Sequence, residues 1–317
     1  MQRSFEDEEL LKIIGETSDV ISNPEKYFGV LKIYDARPFW NAVGNAVAGK
    51  GYENKDNYKN SEVLFLDIHN IHKVRDSYKK LMIACLSQEN GSKWFTALDN
   101  SGWFHHLSTI ISGTLQVAEA LKKGFQTLVH CSDGWDRTSQ ITSLAQLILD
   151  PYFRTMEGFI VLIEKDWVSF GHQFALRCGH CDGLNESQKG PILIQFLDCV
   201  HQIMSQFPLS FEFNVKFLTD IAYHLYSCYF GTFLSDSVSE RNRNKLEART
   251  VSLWSYLLFN KERYFNPFYR ESQQIDMNEL WPNPSLKVLK LWKEHFLAYN
   301  IESKEPYQIF PDAFFLE

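Results

Sequence analysis

Three short runs of β-branched and aromatic residues, at 30–34, 63–68 and 125–129, are each followed by polar residues, the pattern of buried strands that end in loops. Elsewhere apolar residues recur at the spacing of a helix that buries one face. The clearest stripes are Phe104, Leu107, Ile111, Leu115 and Ala118, and then Leu193, Phe196, Leu197, Val200, Ile203, Met204 and Phe207. A further helix is expected from about Val215 to Cys228, with Gly231 as its left-handed terminator. Strands separated by helical stretches predict an α/β domain with a central sheet flanked by helices. No fixed repeat and no Pro-, Gly- or Ser-rich linker divides the chain, so residues 1–317 read as one domain.

Composition narrows the possible functions. With 44% hydrophobic and 15% aromatic residues, the chain is a folded one rather than a disordered or low-complexity one. Its 32 Lys and Arg stand against 39 Asp and Glu, a net charge of −7, so a broad electrostatic grip on nucleic acid is excluded and an anionic ligand must be held locally. No apolar run approaches the roughly 20 residues of a membrane-spanning helix, and the start carries no apolar signal block. A soluble, cytosolic protein with reduced cysteines is therefore expected. Cys178 and Cys181 form a lone Cys-x-x-Cys without a second pair, which reads as packing or loop cysteines rather than a zinc site. The histidine pairs His69/His72 and His105/His106 and the Asn90 sequon read as coincidences. The basic stretch 241–249 is diluted by Glu247 and reads as a solvated face.

Chemistry concentrates in residues 125–150, which read as strand, loop and helix. Cys131 and Arg137 are separated by five residues; six cysteines and 32 basic residues give about 0.6 such Cys-x5-basic pairings by chance, so the context must supply the specificity. A tight loop that leaves a strand and opens a helix can aim successive N–H groups at one point, where the helix N-terminus adds partial positive charge. That point suits a phosphate. Arg137 is placed to clamp two of its oxygens, and Cys131 to attack its phosphorus as a thiolate whose pKa the same cations lower. Gly134 permits the turn, Ser132 and Trp135 complete the loop, and His130 orients it. Asp133 and Asp136 are the candidate proton donors for the leaving alkoxide, either able to stay protonated beside a phosphate dianion, with Asp136 preferred. Thr138 either donates to the sulfur or satisfies the first helical turn.

The segment VHCSDGWDRT, from Val129 to Thr138, resembles the active-site signature of the myotubularin phosphoinositide 3-phosphatases. The resemblance extends through EDEELL, IYDARP, GYE, FLDIHNIH, EGF, SFGH, FEFN, LYSCYFGTFL and RTVSLWS. It implies a protein-tyrosine-phosphatase-like α/β fold, no metal or organic cofactor, and removal of the 3-phosphate from phosphatidylinositol 3-phosphate and phosphatidylinositol 3,5-bisphosphate. It also implies a cytoplasmic protein, peripheral on endosomal-type membranes, whose partners are a phosphoinositide headgroup and a second family member in a homo- or heterodimer. Residue by residue, it implies headgroup contacts from Ser132, Gly134, Trp135, Asn45, Asn70, Ile71 and Arg177. Gln173 falls where the family usually has a basic residue, which weakens the expected hold on a second ring phosphate. Asn45 and Asn70 read equally as turn residues, and Asp35 either joins the site or holds Arg37 in a local ion pair. The family's usual amino-terminal PH-like GRAM module and carboxy-terminal coiled coil are not recognisable, so the expectation is a fragment or a minimal member.

Three other readings compete. A protein tyrosine phosphatase would place its acid on an upstream Trp-Pro-Asp loop, whereas the one Trp-Pro here is Trp281–Pro282, followed by Asn283. Sac-type inositide phosphatases lack the Gly-Trp pair. A pseudophosphatase adaptor would have lost the nucleophile or the arginine, and both are present.

Overall fold

The computed structural model describes residues 4–17, 29–46, 51–53, 56–87, 91–180, 186–271 and 278–298. The expected Asn90 sequon and Cys181 lie outside them. An amino-terminal helix, α1 (Phe5–Glu16), precedes the first strand, β1 (Leu31–Asp35), and its first turn is capped by the Ser4 hydroxyl accepting from the Asp7 N–H. Helix α2 (Phe39–Ala46) follows, and then β2 (Ser61–Phe65). Three helices, α3 (Ile71–Leu86), α4 (Ser92–Asn100) and α5 (Trp103–Lys122), lead to β3 (Gln126–His130), and α6 (Arg137–Leu149) leaves it. The rest is mostly helical, including α7 (Met156–Ile163), α8 (Phe174–Cys178), α9 (Ile192–Gln206) and α10 (Val215–Ser227).

The three strands form a parallel sheet in the order β2-β1-β3. Their register aligns Asp35 with both Phe65 and His130, so all three strands end together and present their following loops along one edge. Parallel sheets are covered by helices because each crossover must return across a face. Here α5 does much of the covering. Its residues Leu107, Ile110, Ile111, Thr114, Val117 and Ala118 are buried at helical spacing, whereas Phe104 and Leu115, expected in the same stripe, are half-buried.

The helix that opens at Arg137 runs through the core and is buried on nearly every side. Its polar residues are paired inside: Gln140 Nε2 donates to Gln195 Oε1 (2.9 Å) and Ile192 O (3.2 Å), and Ser143 Oγ accepts from Trp167 Nε1 (3.0 Å). These bonds fix the helix in one orientation, although Gln140 Oε1 and Thr138 Oγ1 stay buried without a partner. That orientation positions the catalytic-type loop.

Two expectations change. Helix α10 ends at Ser227 and is capped by Cys228, which itself takes the left-handed conformation (φ +56°), three residues before the glycine expected to do so. Gly231 instead opens a 3-10 turn packed so closely that a Cβ there would lie 1.9 Å from Thr250 Oγ1. In the basic stretch, most side chains are solvated as expected, but half-buried Arg241 donates to the carbonyls of Gly231 (3.2 Å), Thr232 (2.8 Å) and Leu234 (2.9 Å). It is a clasp on irregular backbone, which a charge count does not reveal. Among the described residues no helix is long and apolar enough to cross a membrane.

Candidate active site

Cys131 directly follows β3, and Arg137 opens α6, so the loop between them spans a strand end and a helix start. Gly134 sits at φ +92° with open space where a Cβ would be, so backbone conformation is the reason for glycine there. The turn brings the Gly134 N–H to 3.3 Å from Cys131 Sγ. Arg137 is buried and held at two points, donating to Ile68 O (3.3 Å) and Ser132 Oγ (3.1 Å). Ser132 and Asp133 are exposed at the loop's crest.

Burial pushes the Cys131 thiol up, but the Arg137 charge, the Thr138 hydroxyl and the N–H groups of Gly134 and Asp133 outweigh it, and the net direction is down. Thr138 Oγ1 is buried and makes no well-aligned hydrogen bond in this arrangement, although it lies near enough to favour the thiolate. Turning its O–H toward a sulfur anion gives it the acceptor it lacks. The other buried cysteines differ: burial alone drives Cys85 up to about 11. Only a thiol beside cations and N–H donors is poised as a nucleophile.

Asp136 ends the loop. Its carboxylate accepts from Arg177 Nε (3.1 Å) and Nη2 (2.8 Å) and lies 3.2 Å from His172 Nδ1, which also meets Trp135 O at 2.7 Å. Burial pushes Asp136 up, but His172 and Arg177 overcome it and hold the carboxyl down at about 2. The expected proton donor is thus an anion in the ligand-free protein. Arg177, from α8, is buried and also donates to Gln188 O (2.9 Å). Trp135 Nε1 is buried without a partner.

A second layer of charge underlies the loop. Arg37 is paired with Asp35 through Nε (2.9 and 3.0 Å) and Nη2 (2.6 Å), and it donates to Gly51 O (3.1 Å). Of the two readings of Asp35, the structure shows the local ion pair. His130, opposite Asp35 in the sheet, has Nε2 3.2 Å from Glu53 Oε2, an ion-pair distance without hydrogen-bond alignment, and Nδ1 3.2 Å from Cys131 O. Burial pushes His130 down, but Glu53 overrides it and raises the imidazole.

The remaining expected residues divide. Asn70 caps α3, its Oδ1 accepting from the Lys73 N–H (3.3 Å), so the turn-residue reading describes it in the ligand-free state. Ile71 opens the same helix and lies where a Cβ on Gly190 would meet its own at 3.3 Å. Gln173 precedes α8, half-buried, with no side-chain cap bond. Asn45 lies near the end of α2, and its side chain is outside the described residues. Trp281 lies under Lys122 Nζ (5.3 Å), the last residue of α5. Glu53 and His172 are the two site residues that spacing alone did not single out, although both fall in segments, GYE and SFGH, that carry the resemblance. A separate cavity of about 550 Å3, lined by Phe5, Lys12, Leu31, Tyr58 and Ser61, opens at the other edge of the sheet, where β1 and β2 begin.

Residues 1–242 match the family model described as "Myotubularin-like phosphatase domain". The chain belongs to this family. It is 45% identical over 310 residues to a myotubularin of Xenopus laevis, covering 96% of this chain and 50% of that protein. It is 44% identical over 305 residues to the phosphatidylinositol-3,5-bisphosphate 3-phosphatase MTMR2 of Mus musculus, covering 96% and 46%. It is 47% identical over 294 residues to the phosphatidylinositol-3-phosphate phosphatase MTMR7 of Mus musculus, covering 92% and 43%. The chain thus spans about half the length of these curated relatives.

Proposed function

We propose that this myotubularin-like domain hydrolyses the 3-phosphate of phosphatidylinositol 3-phosphate and phosphatidylinositol 3,5-bisphosphate through a cysteinyl-phosphate intermediate on a protein-tyrosine-phosphatase-like fold. The observation that carries this reading is Cys131 Sγ, acidified beneath Gly134 N–H and beside Arg137, at a strand end that faces a helix N-terminus. The activities for which two relatives are named supply the substrate class.

In the first step the Cys131 thiolate attacks phosphorus as the bond to the inositol 3-oxygen breaks. Arg137 and the loop N–H groups bear the charge of the equatorial oxygens. The leaving oxygen takes a proton from Asp136. Asp136 takes up that proton from solvent as substrate binds: a phosphate dianion drawing Arg177 and His172 toward itself removes the two influences that hold Asp136 ionised. Burial, the strongest influence on it, then raises its pKa. In the second step Asp136 takes a proton from water, the water oxygen attacks phosphorus, and the sulfur leaves as thiolate with release of inorganic phosphate. Asp133 sits at the exposed crest, where a headgroup hydroxyl can meet it. Trp135 Nε1, Asn45, Asn70, Ile71, Arg177 and Gln173 surround the headgroup, and no cofactor takes part. The enzyme acts peripherally, on endosomal-type membranes facing the cytoplasm, alone or paired with another family member.

A panel of all phosphoinositides beside a phosphotyrosine peptide tests this reading. Phosphate release confined to lipids bearing a 3-phosphate is expected. Preference for the peptide would assign a tyrosine phosphatase, and binding without release an adaptor.

A further inference from the structure

Helix α3 begins with two of the expected headgroup residues, Asn70 at its cap and Ile71 in its first turn, and one turn further on it carries half-buried Arg75. Arg75 Nη1 donates to three carbonyls of one short segment: Glu186 O (2.8 Å), Ser187 O (2.8 Å) and Lys189 O (3.3 Å). The segment opens as a 3-10 turn (Glu186–Gln188) and runs through Gly190 toward α9. Its Gln188 carbonyl accepts from Arg177 Nη1 (2.9 Å), and its Gly190 N–H donates to Arg177 O (3.0 Å). Arg177 directs its Nε and Nη2 to Asp136 (3.1 and 2.8 Å). Gly190 also lies so close to α3 that a Cβ there would stand 3.3 Å from that of Ile71. Residues 186–190 thus bridge the start of α3 and the guanidinium that faces the phosphate loop.

Carbonyls that converge on one point repel one another unless a donor sits between them. A guanidinium satisfies them with a charge that does not titrate. Such a clasp can simply stiffen irregular backbone, as Arg241 does at 231–234. The segment at 186–190 differs because Gln188, between Ser187 and Lys189, supplies the carbonyl that holds Arg177. Without the Arg75 charge the segment loosens on both sides of that carbonyl. In the proposed mechanism Arg177 turns from Asp136 toward the phosphate, and Gln188 O is the support it keeps through the turn. A guanidinium without that support must be ordered by the substrate, at the expense of binding.

We propose that Arg75 is a positioning residue for the reaction. By pinning residues 186–190 it fixes the Gln188 carbonyl, and through that carbonyl it sets the Arg177 guanidinium against Asp136 and the headgroup. This inference rests on the function proposed above, in which Arg177 serves the headgroup.

The test uses two variants of the full chain. Arg75→Met keeps the apolar stem and removes the charge, whereas Arg75→Lys keeps a charge on a stem long enough to approach the carbonyls. Each is assayed on monomeric short-chain phosphatidylinositol 3-phosphate and on an aryl phosphate, which has no inositol ring for Arg177 to hold and a leaving group that needs no proton. Arg75→Met should lose about tenfold in kcat/KM on the lipid and stay within about twofold of wild type on the aryl phosphate, and Arg75→Lys should recover most of the loss. Added to Arg177→Lys, Arg75→Met should cost less than about twofold more, because its route to the site is gone. An equal loss on both substrates, no loss on the lipid, or the same loss repeated in the Arg177→Lys background would overturn the proposal. Should wild type not hydrolyse the lipid, the substrate reading fails by itself. The role of Arg75 is then judged by nuclear magnetic resonance of the Arg177 Nε–H, identified by its absence in Arg177→Lys. Hydrogen exchange faster by about tenfold or more in Arg75→Met supports the role, and an unchanged rate overturns it.

Discussion

Asp136 and Arg177, 41 positions apart in sequence, form a two-point ion pair that joins the end of the phosphate loop to helix α8. Both partners are buried, so each leaves the other's charge uncompensated if it is removed. The pair fixes the loop's last residue and holds its carboxylate ionised, the group that the proposed mechanism uses as an acid once substrate is bound.

Asp136→Ala should therefore lower kcat by about 100-fold or more on a lipid substrate, whose leaving alkoxide needs a proton. The loss should shrink on an aryl phosphate, whose leaving group needs none. Asp133→Ala should act mainly on KM. Steady-state kinetics on both substrate types checks this, and a larger kcat loss for Asp133→Ala would transfer the acid role. The same pair shapes acid stability: because the folded Asp136 is held at about 2, its contribution is fully present above the unfolded value near 4 and is lost as pH falls toward 2.

Thr138→Val removes the hydroxyl poised for the sulfur anion while keeping the side-chain volume. The pH at which Cys131 becomes half-alkylated should rise by roughly one unit, the equivalent of about 1.4 kcal/mol. An unmoved inflection would leave Thr138 as a residue of the first helical turn alone.

His130 has an acceptor opposite each ring nitrogen, Glu53 Oε2 and Cys131 O, so only the doubly protonated ring suits both. The groups that act on the ring are Glu53, Asp35 and the Cys131 carbonyl. His130 is raised in the folded state, so its contribution is present below the unfolded value of about 6.5 and fades as pH rises through the folded one. Glu53 is lowered, so its contribution is present above about 4.5 and fades on acidification. Glu53→Gln should thus reduce Tm most between about pH 5 and 7 and least at either extreme. A pH-independent difference in thermal denaturation would show that packing, not charge, links the two residues.

Gln173→Arg places a guanidinium at the start of α8, where the present side chain makes no cap bond. The ratio of kcat/KM for the 3,5-bisphosphate over the monophosphate should rise several-fold, as a new charge-assisted contact provides. An unchanged ratio would remove Gln173 from the headgroup site.

Much of this was legible in the chain. The run at 125–129 became Gln126–His130, and 30–34 became Leu31–Asp35, because β-branched runs bounded by polar residues report buried strands directly. The run at 63–68 ended earlier, at Phe65, where Asp67 takes φ +55° and turns the chain toward α3. Cys131, Gly134 and Arg137 were readable because loop chemistry is local. The contacts of Asp136 with His172 and of His130 with Glu53 were not, since each joins segments brought together only by tertiary packing. The αL turn at Cys228 escaped for another reason: composition favours glycine there, and the packing of Gly231 against Thr250 had already claimed that glycine.

The central claim is a covalent phosphorus–sulfur bond at Cys131. Wild-type protein mixed with phosphatidylinositol 3-phosphate carrying a radioactive 3-phosphate, quenched within milliseconds and digested, tests it most directly. Label is expected on the peptide containing Cys131 and is expected to be lost in Cys131→Ser. Turnover with no labelled protein, or label retained in that variant, would contradict it.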